Sequence, residues 1–207
     1  MATASTDVRR RFAQTAPPEA YFVVSAVFHY LGPAFAVLLF ARVDVLGVAW
    51  LRIASAAAIF ALWRRPWRRV RGAGAWRLLL TWGAVLAVMN STFYLAIDRL
   101  PLGTVAAIEF LPVIALAALG ARTPRNAAAL ALAVPGVYLL TGVRFAGEPL
   151  GVAFAFANAA LFALYVVLAH RAARHPAITG IDGLGLSMLI AAVVVTPIAG
   201  WAVVPAL

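Results

Sequence analysis

The chain has 207 residues, of which 65% are hydrophobic and only 12% charged. A water-soluble domain carries about 25% charged residues, so hydrocarbon must be the solvent for most of these side chains. The formal charge of +10 comes from arginines interspersed with apolar runs, not from one soluble face, which argues against nucleic acid as a partner. The absence of cysteine removes disulfides, thiol nucleophiles and thiolate metal sites.

Residues 1–20 form a polar tail with Arg9, Arg10 and Arg11. The apolar run behind it is too long for a signal-peptide core and reads as an anchored first helix. A spanning helix needs about 20 mostly apolar residues, and the runs at 21–41, 46–63, 77–97, 102–121, 127–143, 150–170 and 184–204 qualify. None of them alternates polar and apolar residues as a membrane barrel strand does. Backbone groups in lipid must bond within their own segment, so each run reads as a helix. The expected fold is an all-α integral membrane protein of about seven transmembrane helices.

Arginine placement orients the chain. With the N-terminus in the cytoplasm and the loops alternating, the arginines at 9–11, 64–77, 122–125 and 171–174 fall inside. Only Arg42, Arg99 and Arg144 fall outside. This asymmetry is the positive-inside pattern of a bacterial inner-membrane protein. Small residues are dense at Ala54–Ala58, Ala106–Ala107, Ala127–Ala129 and Ala157–Ala160, where they would let helix backbones approach closely. A codon bias toward alanine explains them equally well.

Ionisable side chains at depth are costly and mark candidate sites. Arg52 lies roughly 9 Å from the outer end of the second run, and Glu109 roughly 10 Å from the outer end of the fourth, at 1.5 Å per residue. Asn90 and Asn158 reach the same layer, at roughly 10 and 12 Å. Tyr94 shares a helix face with Asn90, and Tyr165 with Asn158. His29 sits deeper, beside Tyr30. Two readings compete. In one, a polar cavity opens outward, with Glu109 a proton- or cation-binding carboxylate and Arg52 a receptor for a substrate carboxylate. In the other, Arg52 pairs with Glu109 or reaches outward, and the asparagines clamp helix to helix. Pro33, Pro112 and Pro135 fall inside runs and free backbone carbonyls there.

The segment Met89-Asn90-Ser91-Thr92-Phe93-Tyr94-Leu95-Ala96-Ile97, followed by Pro101-Leu102-Gly103 and by Glu109-Phe110, resembles the third and fourth helices of EamA-type carriers of the drug/metabolite transporter superfamily. Within that superfamily it is most similar to the threonine/homoserine exporters. Trp50-Leu51-Arg52-Ile53-Ala54, Trp63-Arg64-Arg65-Pro66-Trp67-Arg68 and Ser25–Pro33 resemble the same group. The resemblance implies ten helices in two inverted five-helix repeats. Residues 21–143 would form the first repeat and 150–207 the start of a second. Three further helices would then be expected beyond Leu207, so the chain reads as truncated, as a fragment, or as one that pairs with a second chain or a second copy. The implied activity is export of small metabolites such as amino acids, with proton antiport as one mode of coupling, and with no cofactor and no metal. Glu109, Arg52, Asn90, Asn158, His29 and Tyr94 are the candidate pathway residues.

Other classes fare worse. No G-x-S-x-G serine suits an intramembrane protease. Asp98 and Asp182 are expected in loops on opposite sides, which disfavours a two-aspartate protease. A retinal protein lacks its Schiff-base lysine, and no Walker loop is present. A non-transporting fragment or a seven-helix receptor or scaffold remains as the alternative.

Overall fold

The computed structural model describes residues 18–68, 70–120 and 148–199, with isolated positions between 123 and 136. Six α-helices are described: α1 (Pro18–Ala36), α2 (Val45–Arg64), α3 (Ala73–Ile97), α4 (Leu102–Gly120), α5 (Pro149–Ala173) and α6 (Gly180–Ala199). No strand occurs among the described residues. Helices α2, α3, α5 and α6 are each long and apolar enough to cross a membrane, so this is a multi-pass helical protein. The chain divides into two compact units at Leu38, with α1 in the first and α2 to α6 in the second. The polar tail with Arg9–Arg11, most of the run at 127–143 and residues 200–207 lie outside the described residues.

The helix ends follow from local chemistry. Asp44 caps α2, its carboxylate accepting from the Leu46 amide at 2.9 Å. Arg65 leaves α2 in the left-handed conformation (φ 47°), and Pro66, which cannot continue a helix, follows. Gly72 starts α3 at φ 91°, a backbone state that L side chains avoid. Pro149 opens α5 at a position where its missing amide is harmless.

The sequence reading places the last span at 184–204, but the helix begins four residues earlier, at Gly180. Asp182 therefore sits in the first turn of α6, not in a loop. Asp98 does lie in a turn, just after α3. Prolines fall inside α1 (Pro33), α4 (Pro112) and, beyond expectation, α6 (Pro197).

Helix α3 is central to the second unit and packs against α5 and α6, while α2 packs on α6. One buried cluster joins Leu79, Trp82 and Val85 of α3 to Leu168 and Ala172 of α5 and Leu186 of α6. A second joins Ile53 of α2 and Leu86 of α3 to Ala191 and Val195 of α6. Small residues make these crossings close. Ala49, Ala57, Ala87, Ala155, Ala159 and Ala191 are all buried, whereas Ala58, Ala157 and Ala160 of the expected small stretches are exposed.

A close approach between helices is at Gly83 of α3. A Cβ there would lie 2.6 Å from Ile190 Cγ2 and 2.8 Å from the Ser187 carbonyl oxygen, a backbone atom that cannot swing away. Gly83→Ala is therefore expected to push α3 from α6 at a cost of about 1–3 kcal/mol. Thermal unfolding in detergent checks this: the midpoint should fall, and an unchanged midpoint would show that the helices separate freely.

Candidate functional site

Three of the predicted side chains take part in two cross-helix contacts within the second unit. On α4, Glu109 is 3% exposed, and Asn158 of α5 is completely buried. The Asn158 amide Nδ2 donates to Glu109 Oε1 at 3.2 Å. On the other side of the unit, Asn90 Nδ2 of α3 donates to the Ala49 carbonyl of α2, also at 3.2 Å. Both contacts place polar groups between helices and away from lipid, where hydrocarbon offers them no partner.

Arg52 stands near the second contact. Its guanidinium lies over the Tyr94 ring, 5.9 Å from the centroid, in cation–π geometry. Tyr94 is fully buried one helical turn beyond Asn90, as the spacing predicts, and meets Phe40 and Phe93 edge-on. Arg52 is only partly buried, so its charge can still reach a polar solute. The Glu109 carboxyl belongs to the first contact, and the Arg52 guanidinium stands beside the second.

His29 belongs to the other compact unit. It lies on α1, where its ring packs edge-on against Tyr30 at 5.0 Å. Tyr165, expected to share a face with Asn158, stacks on Phe162 at 6.2 Å and leans on Trp82. It serves the core where α3 meets α5. Pro112 follows Glu109 by one turn inside α4.

A third polar contact escapes the sequence reading. Asp182, at the start of α6 and fully buried, receives Arg64 Nε at 3.0 Å and Arg64 Nη2 at 3.3 Å, a two-pronged ion pair. The Thr179 hydroxyl donates to the same carboxylate. The signal lay in Thr179-Gly180-Ile181-Asp182, since a threonine followed three residues later by an acid ahead of an apolar run marks a helix start. At the opposite ends of these helices, the Trp50 indole donates to the Thr196 hydroxyl at 2.8 Å. Helices α2 and α6 are therefore tied at both ends and run antiparallel.

These features define a multi-pass helical membrane protein with polar contacts held between its spans. The chain is 35% identical over 191 residues to the threonine/homoserine exporter RhtA of Escherichia coli strain K12, an alignment taking in 84% of this chain and 62% of that protein. It is also 35% identical over 175 residues to the threonine/homoserine exporter RhtA of Salmonella typhimurium strain SL1344, covering 81% of this chain and 57% of the relative. The resemblance carried by the third and fourth runs thus extends over most of the chain, which is a relative of these exporters. The chain spans less than two thirds of their length. No family model matches it, and no solved structure does.

Removing either member of the Glu109–Asn158 contact takes a buried cross-helix hydrogen bond from the other. Asn158→Leu is expected to cost about 1–3 kcal/mol. The same change made together with Glu109→Leu should cost less than the two single changes added. A double-mutant cycle on thermal unfolding in detergent measures this, and strict additivity would mean that the contact contributes nothing.

Proposed function

We propose that this chain forms the first five-helix repeat and the opening of the second in a secondary carrier of the inner membrane. The carrier exports small amino acids of the threonine or homoserine kind in exchange for protons. The observation that carries this reading is the buried Glu109–Asn158 contact between α4 and α5 in a chain similar to named exporters. Its two helices would come from different repeats, and inverted-repeat carriers bind their cargo at the interface between repeats.

The course of the helices supports the seven-span count. Gly151, at the start of α5, lies against Arg99 and Leu100, just ahead of the start of α4. Arg99 Nε also lies 3.7 Å from Glu148. Helices α4 and α5 therefore begin at one end and run the same way, with Glu109 and Asn158 at matching depths. The chain between them would then have to return across the bilayer, which is the part a fifth span at 127–143 would play. The N-terminus is assigned to the cytoplasm from the spacing of arginines along the sequence.

In this mechanism Glu109 alternates between a proton and the cargo ammonium group. Asn158 donates to the ionised carboxylate, and its own Oδ1 accepts no hydrogen bond among the described residues. A protonated Glu109 carboxyl can donate to that oxygen, so a single amide serves both charge states. Arg52 receives the cargo carboxylate from its place over Tyr94.

The test is export of labelled threonine from cells that lack their own exporters and carry the full-length gene. Glu109→Gln should lower export about tenfold or more, the loss expected when a bond to a charged group worth about 1.5–3 kcal/mol disappears. The dependence of export on external pH should vanish with it, at unchanged protein level. Export that keeps its rate and pH profile would overturn the reading. Arg52→Ala should raise the threonine concentration needed for half-maximal export; lost protein instead would mark Arg52 as a structural clamp.

A further inference from the structure

The two ends of the α2–α6 bundle differ sharply in charge. At one end lie the finish of α2, the start of α3, the finish of α5 and the start of α6, and there Arg65, Arg68, Arg71, Arg77, Arg171 and Arg174 are all exposed. Asp182 is the only carboxylate that the described residues offer at that end; it is fully buried and already receives both prongs of Arg64. At the other end, Asp44, Asp98 and Glu148 stand against Arg42 and Arg99. There Arg99 is bonded to Asp98 at 3.3 Å and lies near Glu148. Among the described residues one end has three carboxylates for its two arginines, while the other carries six arginines that the described carboxylates do not neutralise.

These arginines sit on a fixed platform. Val70, in the middle of the α2–α3 connection, is 5% exposed and belongs to the same buried cluster as Ala75, Ala172 and Ile178. The short turn after α5 is held by the His175 amide bonded to Ala172 O at 3.1 Å and the Ile178 amide bonded to His175 O at 3.0 Å. A Cβ added at Gly74 would come within 4.0 Å of His175 Nε2, so the start of α3 lies beside that turn. The platform thus brings the arginines of the α2–α3 connection alongside Arg171 and Arg174. Trp63 and Trp67 flank it and are 70% and 44% exposed. Tryptophan prefers the headgroup level of a bilayer, which puts the arginines at the depth of lipid phosphates.

We propose that this end of the protein is a docking face for anionic phospholipids, with the arginines gripping headgroup phosphates and Trp63 and Trp67 lying among the upper acyl chains. Charge complementarity selects the occupant. Guanidinium forks match phosphate oxygens in pairs, and an arginine near an anionic bilayer surface gains attraction that a zwitterionic surface does not supply. The proposal stands apart from transport: it needs only the fold and the lipid surroundings, so an inactive carrier would still show it.

The experiment reconstitutes the full chain into bilayers of phosphatidylcholine containing either brominated phosphatidylglycerol or brominated phosphatidylcholine at equal mole fraction. Bromine quenches nearby tryptophan. The signal of this face is the difference between the protein as it stands and a Trp63→Phe/Trp67→Phe variant. Brominated phosphatidylglycerol is expected to quench that signal at severalfold lower mole fraction. High salt should weaken the preference, and Arg68→Gln/Arg71→Gln/Arg174→Gln should abolish it, while Arg42→Gln at the other end should leave it intact. Equal quenching by the two lipids in the unaltered protein would overturn the proposal whether or not the variants fold. So would loss of the preference on adding millimolar inorganic phosphate, which would make free phosphate the ligand, or on adding an oligonucleotide, which would make this a nucleic-acid face.

Discussion

Hydrocarbon is the solvent of this protein, and that constraint organises everything else. Water drives a soluble core together because apolar groups gain by leaving it. Lipid supplies no such drive between helices, so association rests on close packing and on polar groups that have nowhere else to bond. Both appear here in concentrated form. Gly83 brings α3 against the backbone of α6. The contacts Asn90–Ala49, Asn158–Glu109, Trp50–Thr196 and Arg64–Asp182 each join two different helices. Large apolar side chains such as Leu62, Val193 and Ile198 face outward, 83%, 72% and 72% exposed, because there the surroundings suit them.

The same constraint explains what the sequence disclosed. A spanning helix needs length and apolarity, and both can be counted, so the described spans lie where the runs predict them, displaced at their ends by a few residues. The displacements have local causes. Helix α3 starts at Ala73, just after its cap Gly72, rather than at the first strongly apolar residue, and α6 starts at Gly180, just after Thr179, whose hydroxyl meets Asp182. Depth along a helix is also countable, which is why Glu109 and Asn158 were placed in one layer. Azimuth and neighbourhood are not. Two residues at one depth can face different partners, so depth alone left Arg52 with Glu109 as its nearest candidate. The structure sets the Arg52 guanidinium over Tyr94 and gives Glu109 an amide from α5. That α2 packs on α6, across more than a hundred residues of sequence, and α3 on α5 is set by tertiary packing, which no local pattern encodes.

Charge is divided between two tasks. Inside the membrane, each charge sits against a partner suited to it: a carboxylate with an amide, a guanidinium with an aromatic face, an aspartate with an arginine fork. At the rim, arginine stands exposed in number. Arg64 lies at the boundary between these regimes, bonded inward to Asp182 while its neighbour Trp63 turns outward.

That boundary residue also bears on how the protein is made. Arg64 and Asp182 are 118 positions apart. A ribosome adding about 5–20 residues per second delivers them many seconds apart. For that interval α2 is already threaded into the bilayer while its eventual aspartate has yet to be synthesised. Guanidinium groups resist entry into hydrocarbon, so Arg64 with its neighbours Arg65 and Arg68 keeps the end of α2 at the water's edge until α6 arrives. Arg64 then fastens that end to its late-arriving neighbour.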